Sequence, residues 1–165
     1  LSALPVTATT DLNAEVGGIV EDILDSEDLR KRRIELKFIK DDSNPLATIT
    51  PGDCQQAVEN LIRNAMEAIG KDGGIKVSVN GNKGRPEISV KDDGPGIPSQ
   101  IRSKIFDLDF STKPNTGTGL GLPIVKEICA RNNATIECMS VEGAGAEFRI
   151  LLKSALQENA CHTES

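Results

Sequence analysis

Apolar residues recur at two different spacings along this chain, and the switches between them mark its elements. From Asn13, the residues Val16, Ile19, Val20, Ile23 and Leu24 fall at helical intervals, with Asn13 placed to cap that helix. Gly17 and Gly18 interrupt the pattern, each at a cost of about 1 kcal/mol relative to Ala. Ile34, Leu36 and Phe38 then alternate with Glu35 and Lys37, the period of a half-exposed strand. The stretch "ATITPGDC" closes a short strand and opens a second helix: Thr50 caps it, Pro51 suits its first position, and Asp53 lies in its first turn. That helix turns Cys54, Val58, Leu61, Ile62, Ala65 and Ile69 to one side and stops at Gly70. Strands over 75–80 and 87–92 flank the turn-rich "GNKGRP". A polar segment covers 93–118, a helix runs from about 120 to 132, and strands over 134–141 and 146–152 flank "EGAG".

Helices and strands are thus mixed, and neighbouring strands are joined by short hairpins. The pattern predicts an α+β fold: a two-layer sandwich whose mixed, largely antiparallel sheet carries about three helices on one face. Residues 1–10 read as a linker or the end of a missing upstream element, 11–152 as one domain, and 153–165 as a polar tail. The chain opens on Leu1 rather than Met, as expected of a piece of a longer protein.

Composition narrows the function. With four Phe and no Trp or Tyr, the core has to be built from Ile, Leu, Val and Ala. A net charge of −6 argues against DNA or RNA, which need a basic face, but leaves room for a nucleotide, which needs only a local cluster of donors. Cys54, Cys129, Cys138 and Cys161 share no C-x-x-C spacing, so buried free thiols in a reducing compartment are expected rather than zinc. No apolar run is long enough to span a bilayer and no signal peptide precedes the domain, which together predict a cytoplasmic domain.

Four stretches carry candidate chemistry. In "TGTGLGLP" the glycines Gly117, Gly119 and Gly121 run into a helix, where free N–H groups and the positive helix end favour an anion. No lysine follows as a Walker loop requires, and the sixth residue from Gly117 is Leu122, so the dinucleotide fingerprint fails as well. Thr112 and Lys113 add a hydroxyl and a cation just upstream, and Pro123 is tolerated in a first helical turn. In "ISVKDDGPGIP", strand parity puts Asp92 on the face of Ile88 and Val90, and Asp93 toward solvent. An Asp that caps the next turn is the ordinary reading of "DDG". A buried carboxylate needs donors, and Gly94 and Gly96 let a flat ligand such as adenine, with its amino group, come close to the backbone. In "ENLIRNAMEA", Asn60 and Asn64 share one flank of a helix, either as two solvated amides or, for Asn64, as a neutral oxygen for Mg²⁺. "EGAGAEF" is a glycine hairpin.

Taken in order, "NLIRNAMEA", "DDGPGIP", "IFDLDFSTK", "GTGLGL" and "GAGAEF" resemble the five boxes of the histidine kinase catalytic and ATP-binding domain, over about residues 11–152. The resemblance implies the Bergerat fold of that wider superfamily, with ATP and Mg²⁺ as ligands. It gives Asn64 the Mg²⁺ and sets Asn60 toward the phosphates. Asp92 becomes the adenine-reading carboxylate, with Gly94, Gly96 and Ile97 shaping the base pocket. Gly117, Gly119 and Gly121, with Thr118, Leu120 and Leu122 between and after them, form the ATP-binding hinge of a mobile lid over about 98–118. Thr112 and Lys113 face the phosphates from that lid, and Gly143 and Gly145 close the pocket wall. Leu108 and Asp109 stand where relatives commonly carry apolar or rigid residues.

ATPases of the superfamily place a Glu four residues before the Mg²⁺ asparagine as a general base. This chain has Asn60 there, and Glu59 is turned about 100° away. That favours γ-phosphoryl transfer to a histidine over hydrolysis. The one histidine, His162, lies in the polar tail without a helical pattern around it. The acceptor is therefore expected on a helical dimerisation domain upstream of Leu1 or on another chain, with relay to a response regulator. The isolated chain is expected to be a monomer. The alternatives are an ATPase or nucleotide switch of the same superfamily, and a nucleotide-sensing interaction module without phosphotransfer.

Overall fold

A computed structural model of the chain describes residues 8–81, 84–107 and 121–156. In chain order its elements are β1 (Thr9–Asp11), α1 (Leu12–Leu24), α2 (Glu27–Arg32), β2 (Ile34–Ile39), β3 (Leu46–Thr48), α3 (Pro51–Ile69), β4 (Gly73–Asn80), β5 (Glu87–Asp92), a 3₁₀ turn at Arg102–Lys104, α4 (Gly121–Arg131), β6 (Thr135–Ser140) and β7 (Ala146–Leu151). Five strands form the main sheet in the order β2-β4-β5-β7-β6; β2 and β4 are parallel and the other three pairings antiparallel. A small second sheet pairs β1 with β3. The α+β layering and the mixed, largely antiparallel sheet match the expectation from periodicity.

Strand parity decides which side chains face the helices. Leu36, Ile75, Asp92, Ala146 and Ser140 stand opposite one another in a single row across the sheet. The next row toward the sheet's interior is apolar, from Phe38 through Val77, Val90 and Phe148 to Cys138. Both rows meet α1, α3 and α4, whose Val16, Val20, Val58, Leu61, Ile62, Val125 and Ile128 are buried. The opposite face carries Lys37, Lys76, Lys91 and Glu147 at successive pairing positions, so the sheet is a two-sided layer with one wet face.

Several local expectations are corrected. Asp11, not Asn13, caps α1, its carboxylate accepting the Ala14 N–H at 3.1 Å. The helix starts two residues early because Leu12 is fully buried, and the displaced Asn13 side chain bonds both backbone groups of Asp41 instead. Thr9 and Thr10, expected in the linker, pair with Thr48 and Ala47. The short α2 went unpredicted: Leu29 is its only apolar residue, so it has no period to read, and it stands on its Ser26 cap and a left-handed Arg33 at φ 52°. Thr50, Pro51 and Gly70 bound α3 as predicted. The segment after Pro98, expected to begin a polar lid, is instead anchored through Asp107, with Ile105 buried and the Phe106 ring edge-on to Phe148 at 6.3 Å.

The two central helices are tied at one end. Asp53, in the first turn of α3, accepts two hydrogen bonds from Arg131 at 3.1 and 2.6 Å and one from Asn132 at 2.8 Å. The Arg131 guanidinium holds the Asp53 carboxyl below its ordinary value. Asp53→Ala is expected to lower the unfolding free energy by about 1–2 kcal/mol at neutral pH, read from a urea denaturation midpoint. Because the folded-state pKa is depressed, this contribution is complete above about pH 4 and fades as pH falls through the folded value. The difference between wild type and variant therefore narrows in acid.

Candidate functional site

Asp92 ends β5 on the helix-facing side, only 4% exposed. Its carboxylate is met by the N–H of Gly94 at 2.9 Å and by the backbone N–H of Ala146. Burial pushes its pKa above the ordinary carboxylate value, those two donors pull the other way, and the nearby Asp93 charge adds to the rise. Turn-capping and burial, which compete as readings of "DDG", both hold: the Gly94 bond is a local turn contact made by a carboxylate that has left solvent. Asp93 is exposed as expected, but it is not idle. Its Oδ1 accepts the Gly74 N–H at 2.8 Å and its N–H donates to the Gly74 carbonyl, pinning the end of β5 to the start of β4.

The loop after Asp92 lies flat against the β6–β7 hairpin. Gly96 and Gly145 have φ of 75° and 88°, a region that L side chains rarely adopt. A Cβ at Gly145 would collide with the Asp92 carbonyl, and one at Gly96 with the Val141 carbonyl. The Gly143 N–H donates to the Pro95 carbonyl at 2.6 Å and the Ile97 N–H to Ser140 Oγ at 2.7 Å. Ile97 is half-buried and packs against the core. Two glycine stretches far apart in sequence thus become two walls in contact.

Asn60 and Asn64 lie on one flank of α3, both half-buried. Asn60 Nδ2 donates to the Gln56 carbonyl at 2.7 Å, which leaves its Oδ1 directed at the first residue of α4: a Cβ on Gly121 would stand 3.7 Å from that oxygen. Asn64 makes no hydrogen bond among the described residues. Glu59 accepts from Gln55 at 3.0 Å on the neighbouring face. Leu122 packs its half-buried side chain on the core. Of the predicted site residues, the fold therefore joins Asp92, Gly94, Gly96, Ile97 and Gly145 at one end of β5, and Asn60 with Gly121 beside α4. Thr112, Lys113, Gly117, Thr118, Gly119 and Leu120 lie outside the described residues, as do Leu108, Asp109, Cys161 and His162.

Sequence reasoning missed Ser140 and Arg102. Ser140 Oγ donates to the Gly145 carbonyl at 2.9 Å while accepting from Ile97. Arg102 Nη2 donates to the Ser140 carbonyl at 2.6 Å. Ser140 shares strand parity with Ile136 and Cys138, a signal that places it on the helix side. Nothing local announces its partners. The three described cysteines are held as thiols: burial pushes Cys54, Cys129 and Cys138 up to about 12, 11 and 11. No cluster of three acidic, histidine or cysteine side chains suited to a metal occurs among the described residues.

The sequence profile of the histidine kinase-, DNA gyrase B-, and HSP90-like ATPases matches residues 50–156, from the cap of α3 past the end of β7. The chain belongs to this ATPase family. Within it, the likeness is to sensor histidine kinases. The sensor histidine kinase ZraS of Escherichia coli (strain K12) is 37% identical over 142 residues, 86% of this chain and 30% of that protein. The chain thus spans about a third of the length of that relative. The nucleotide-free catalytic domain of histidine kinase ThkA superposes with a TM-score of 0.79 at 30% identity, covering 90% of this chain and 95% of that one. Full-length ShkA in complex with AMPPNP aligns with a TM-score of 0.78 at 28% identity, covering 94% and 32%. ThkA in complex with the response regulator protein TrrA aligns at 0.75 and 25% identity, covering 92% and 43%. The domain is a histidine kinase-type ATPase domain, homologous to the catalytic part of sensor histidine kinases. No helix among the described residues is long and apolar enough to cross a membrane.

Gly145→Ala is expected to destabilise the domain by at least about 2 kcal/mol, since it combines a left-handed backbone with a collision against the Asp92 carbonyl. A thermal melt unchanged from wild type would show that the two walls are not in contact.

Proposed function

We propose that this domain binds ATP·Mg²⁺ and transfers the γ-phosphoryl group to a histidine on a helical dimerisation domain, for relay to a response-regulator aspartate in the cytoplasm. The observation that carries the reading is the buried Asp92 carboxylate at the end of β5, set beside the two glycine loops. An adenine amino group is a donor that such a carboxylate, with acceptor capacity beyond its backbone donors, can take. Gly94, Gly96 and Ile97 shape the base pocket, and Gly145 closes its wall.

The phosphate end falls between the Asn60–Asn64 flank of α3 and the start of α4. There the N-terminal end of α4 favours anionic oxygens, and the resemblance assigns Thr112, Lys113 and the glycines that precede the helix in sequence to the same phosphates. The residues present fit Mg²⁺: among the described residues the Asn64 amide makes no hydrogen bond, and a hard ion that keeps waters and phosphate oxygens needs little more from the protein. When bound, the ion would offset charge on the phosphate oxygens. Asn60 takes no proton at neutral pH, and Glu59 lies on the neighbouring face where Gln55 donates to it, so the position four before Asn64 supplies no base to activate water. Positioning is then the main contribution of this chain, which suits transfer to a protein nucleophile. We read the domain as a monomer when isolated.

The test mixes the chain with radiolabelled ATP and a helical domain bearing the acceptor histidine from the same full-length protein. Acid-labile phosphohistidine is the expected product; sustained phosphate release with no phosphohistidine would establish an ATPase instead. Asp92→Asn is expected to lose binding of a fluorescent ATP analogue by at least about a hundredfold while the domain stays folded. Asn64→Ala is expected to keep analogue binding within a few-fold and to lose Mg²⁺-dependent transfer by about a hundredfold or more. Undiminished transfer in that variant would remove Asn64 from the metal site.

A further inference from the structure

One side chain joins the two loops that wall the nucleotide site proposed above. Ser140 ends β6 in the same cross-strand row as Asp92, with only Ala146 between them. Its hydroxyl accepts the Ile97 N–H at 2.7 Å and donates to the Gly145 carbonyl at 2.9 Å. A hydroxyl has one proton and two lone pairs, so both bonds form together. The Gly145 carbonyl has a second donor in the Val141 N–H at 3.4 Å, whereas the Ile97 N–H has only Ser140 among the described residues. Loss of the hydroxyl would therefore leave the Ile97 N–H without a partner at the edge of the base pocket.

Behind Ser140 stands Arg102. Its Nη2 is fixed on the Ser140 carbonyl at 2.6 Å, while its Nε is buried without any hydrogen bond. The guanidinium keeps this position although one of its donors is left unsatisfied. Arg102 lies in the 3₁₀ turn just ahead of Ile105, which is buried, and Phe106, which packs on Phe148. The clasp thus secures the anchored segment that follows the base-pocket loop, while the hydroxyl secures the loop itself.

We propose that Ser140, supported by Arg102, is a positioning residue for the base pocket. It sets the spacing between the Ile97 wall and the Asp92 carboxylate, and through that spacing the preference for a 6-aminopurine. The inference rests on the adenine reading of Asp92. Neither residue touches the nucleotide in this scheme. Both act through backbone that does.

Displacement of a fluorescent ATP analogue by ATP and by GTP, with a thermal melt of each variant, tests this. GTP serves as the comparison because its 6-oxo group has no donor for Asp92. Ser140→Ala is expected to weaken ATP about tenfold and GTP less, so that the ATP:GTP preference falls, whereas Ser140→Thr stays within about twofold of wild type. Wild-type binding by Ser140→Ala, equal loss for both nucleotides, or failure of the threonine to restore the preference would overturn the proposal. Should Ser140→Ala not fold, Arg102→Ala, which keeps the hydroxyl bridge, is expected to weaken ATP about threefold, and unchanged affinity there overturns it. Asp92→Asn separates the two readings: normal ATP binding by that variant would fail the adenine assignment itself, whatever the Ser140 variants do.

Discussion

The structure turns on one buried charge. A carboxylate taken out of water costs several kcal/mol unless donors meet it, and Asp92 sits in the helix-facing row of the sheet with 4% of its surface exposed. Its two backbone donors come from different places, Gly94 just after the strand and Ala146 at the start of β7. Satisfying Asp92 therefore requires that the loop after β5 fold back on itself and that β7 lie alongside in fixed register. Gly145, immediately before that second donor, has to pass against the Asp92 carbonyl with no Cβ in the way. The close approach itself is made between backbones, at the Asp92 and Val141 carbonyls, so Gly145 and Gly96 are required by the path of the two loops around the carboxylate.

Helix α3 connects this end of the sheet to the other half of the site. Its apolar stripe, Cys54 through Met66, is buried against the sheet and the neighbouring helices. One flank is left for Asn60 and Asn64. A helix with both duties needs its rotation about its own axis fixed, because a turn of a few tens of degrees would bury the amides or expose the stripe. Thr50 and Asp53 hold the near end, the latter through Arg131 and Asn132 of the α4 terminus. The Asp53 pairing therefore orients α3 and α4 relative to each other as well as stabilising them, and the Asn60–Gly121 approach depends on that orientation.

What the sequence disclosed follows from the range of the interactions involved. Period-2 alternation in "EISVKD" put Asp92 on the core face from six residues alone, and Thr50, Pro51 and Gly70 bounded α3 because caps are local chemistry. The α1 cap was misread by two residues because Asn13 and Asp11 are both good caps, and the choice between them is made by burial of Leu12 and by Asp41 across the chain. α2 carries one apolar residue and so has no amphipathic signal. Ile105 and Phe106 look like part of a polar stretch until Phe148, more than forty residues later, supplies the surface they cover. Ser140 is the sharpest case. Its parity was legible, but its role depends on Ile97, Gly145 and Arg102, three partners that only the folded hairpin brings to one hydroxyl and one carbonyl.

The two ends of the proposed site are built on different terms. At the base end every contact has a backbone group on one side and either backbone or a short side chain on the other: Gly143 to the Pro95 carbonyl, Asp93 to Gly74, Ile97 to the Ser140 hydroxyl and Gly94 to the Asp92 carboxylate. Such contacts have little rotamer freedom and hold a shape closely. At the phosphate end the described groups are side-chain amides on a helix flank, one of them without a hydrogen-bond partner among the described residues, beside the first turn of α4. A rigid base pocket with an adaptable phosphate end anchors the constant part of a nucleotide and leaves freedom where an incoming acceptor has to reach. A hydrolase needs the opposite of that freedom, a base fixed against one water. The neutrality of Asn60 and the engagement of Glu59 by Gln55 agree with the former arrangement.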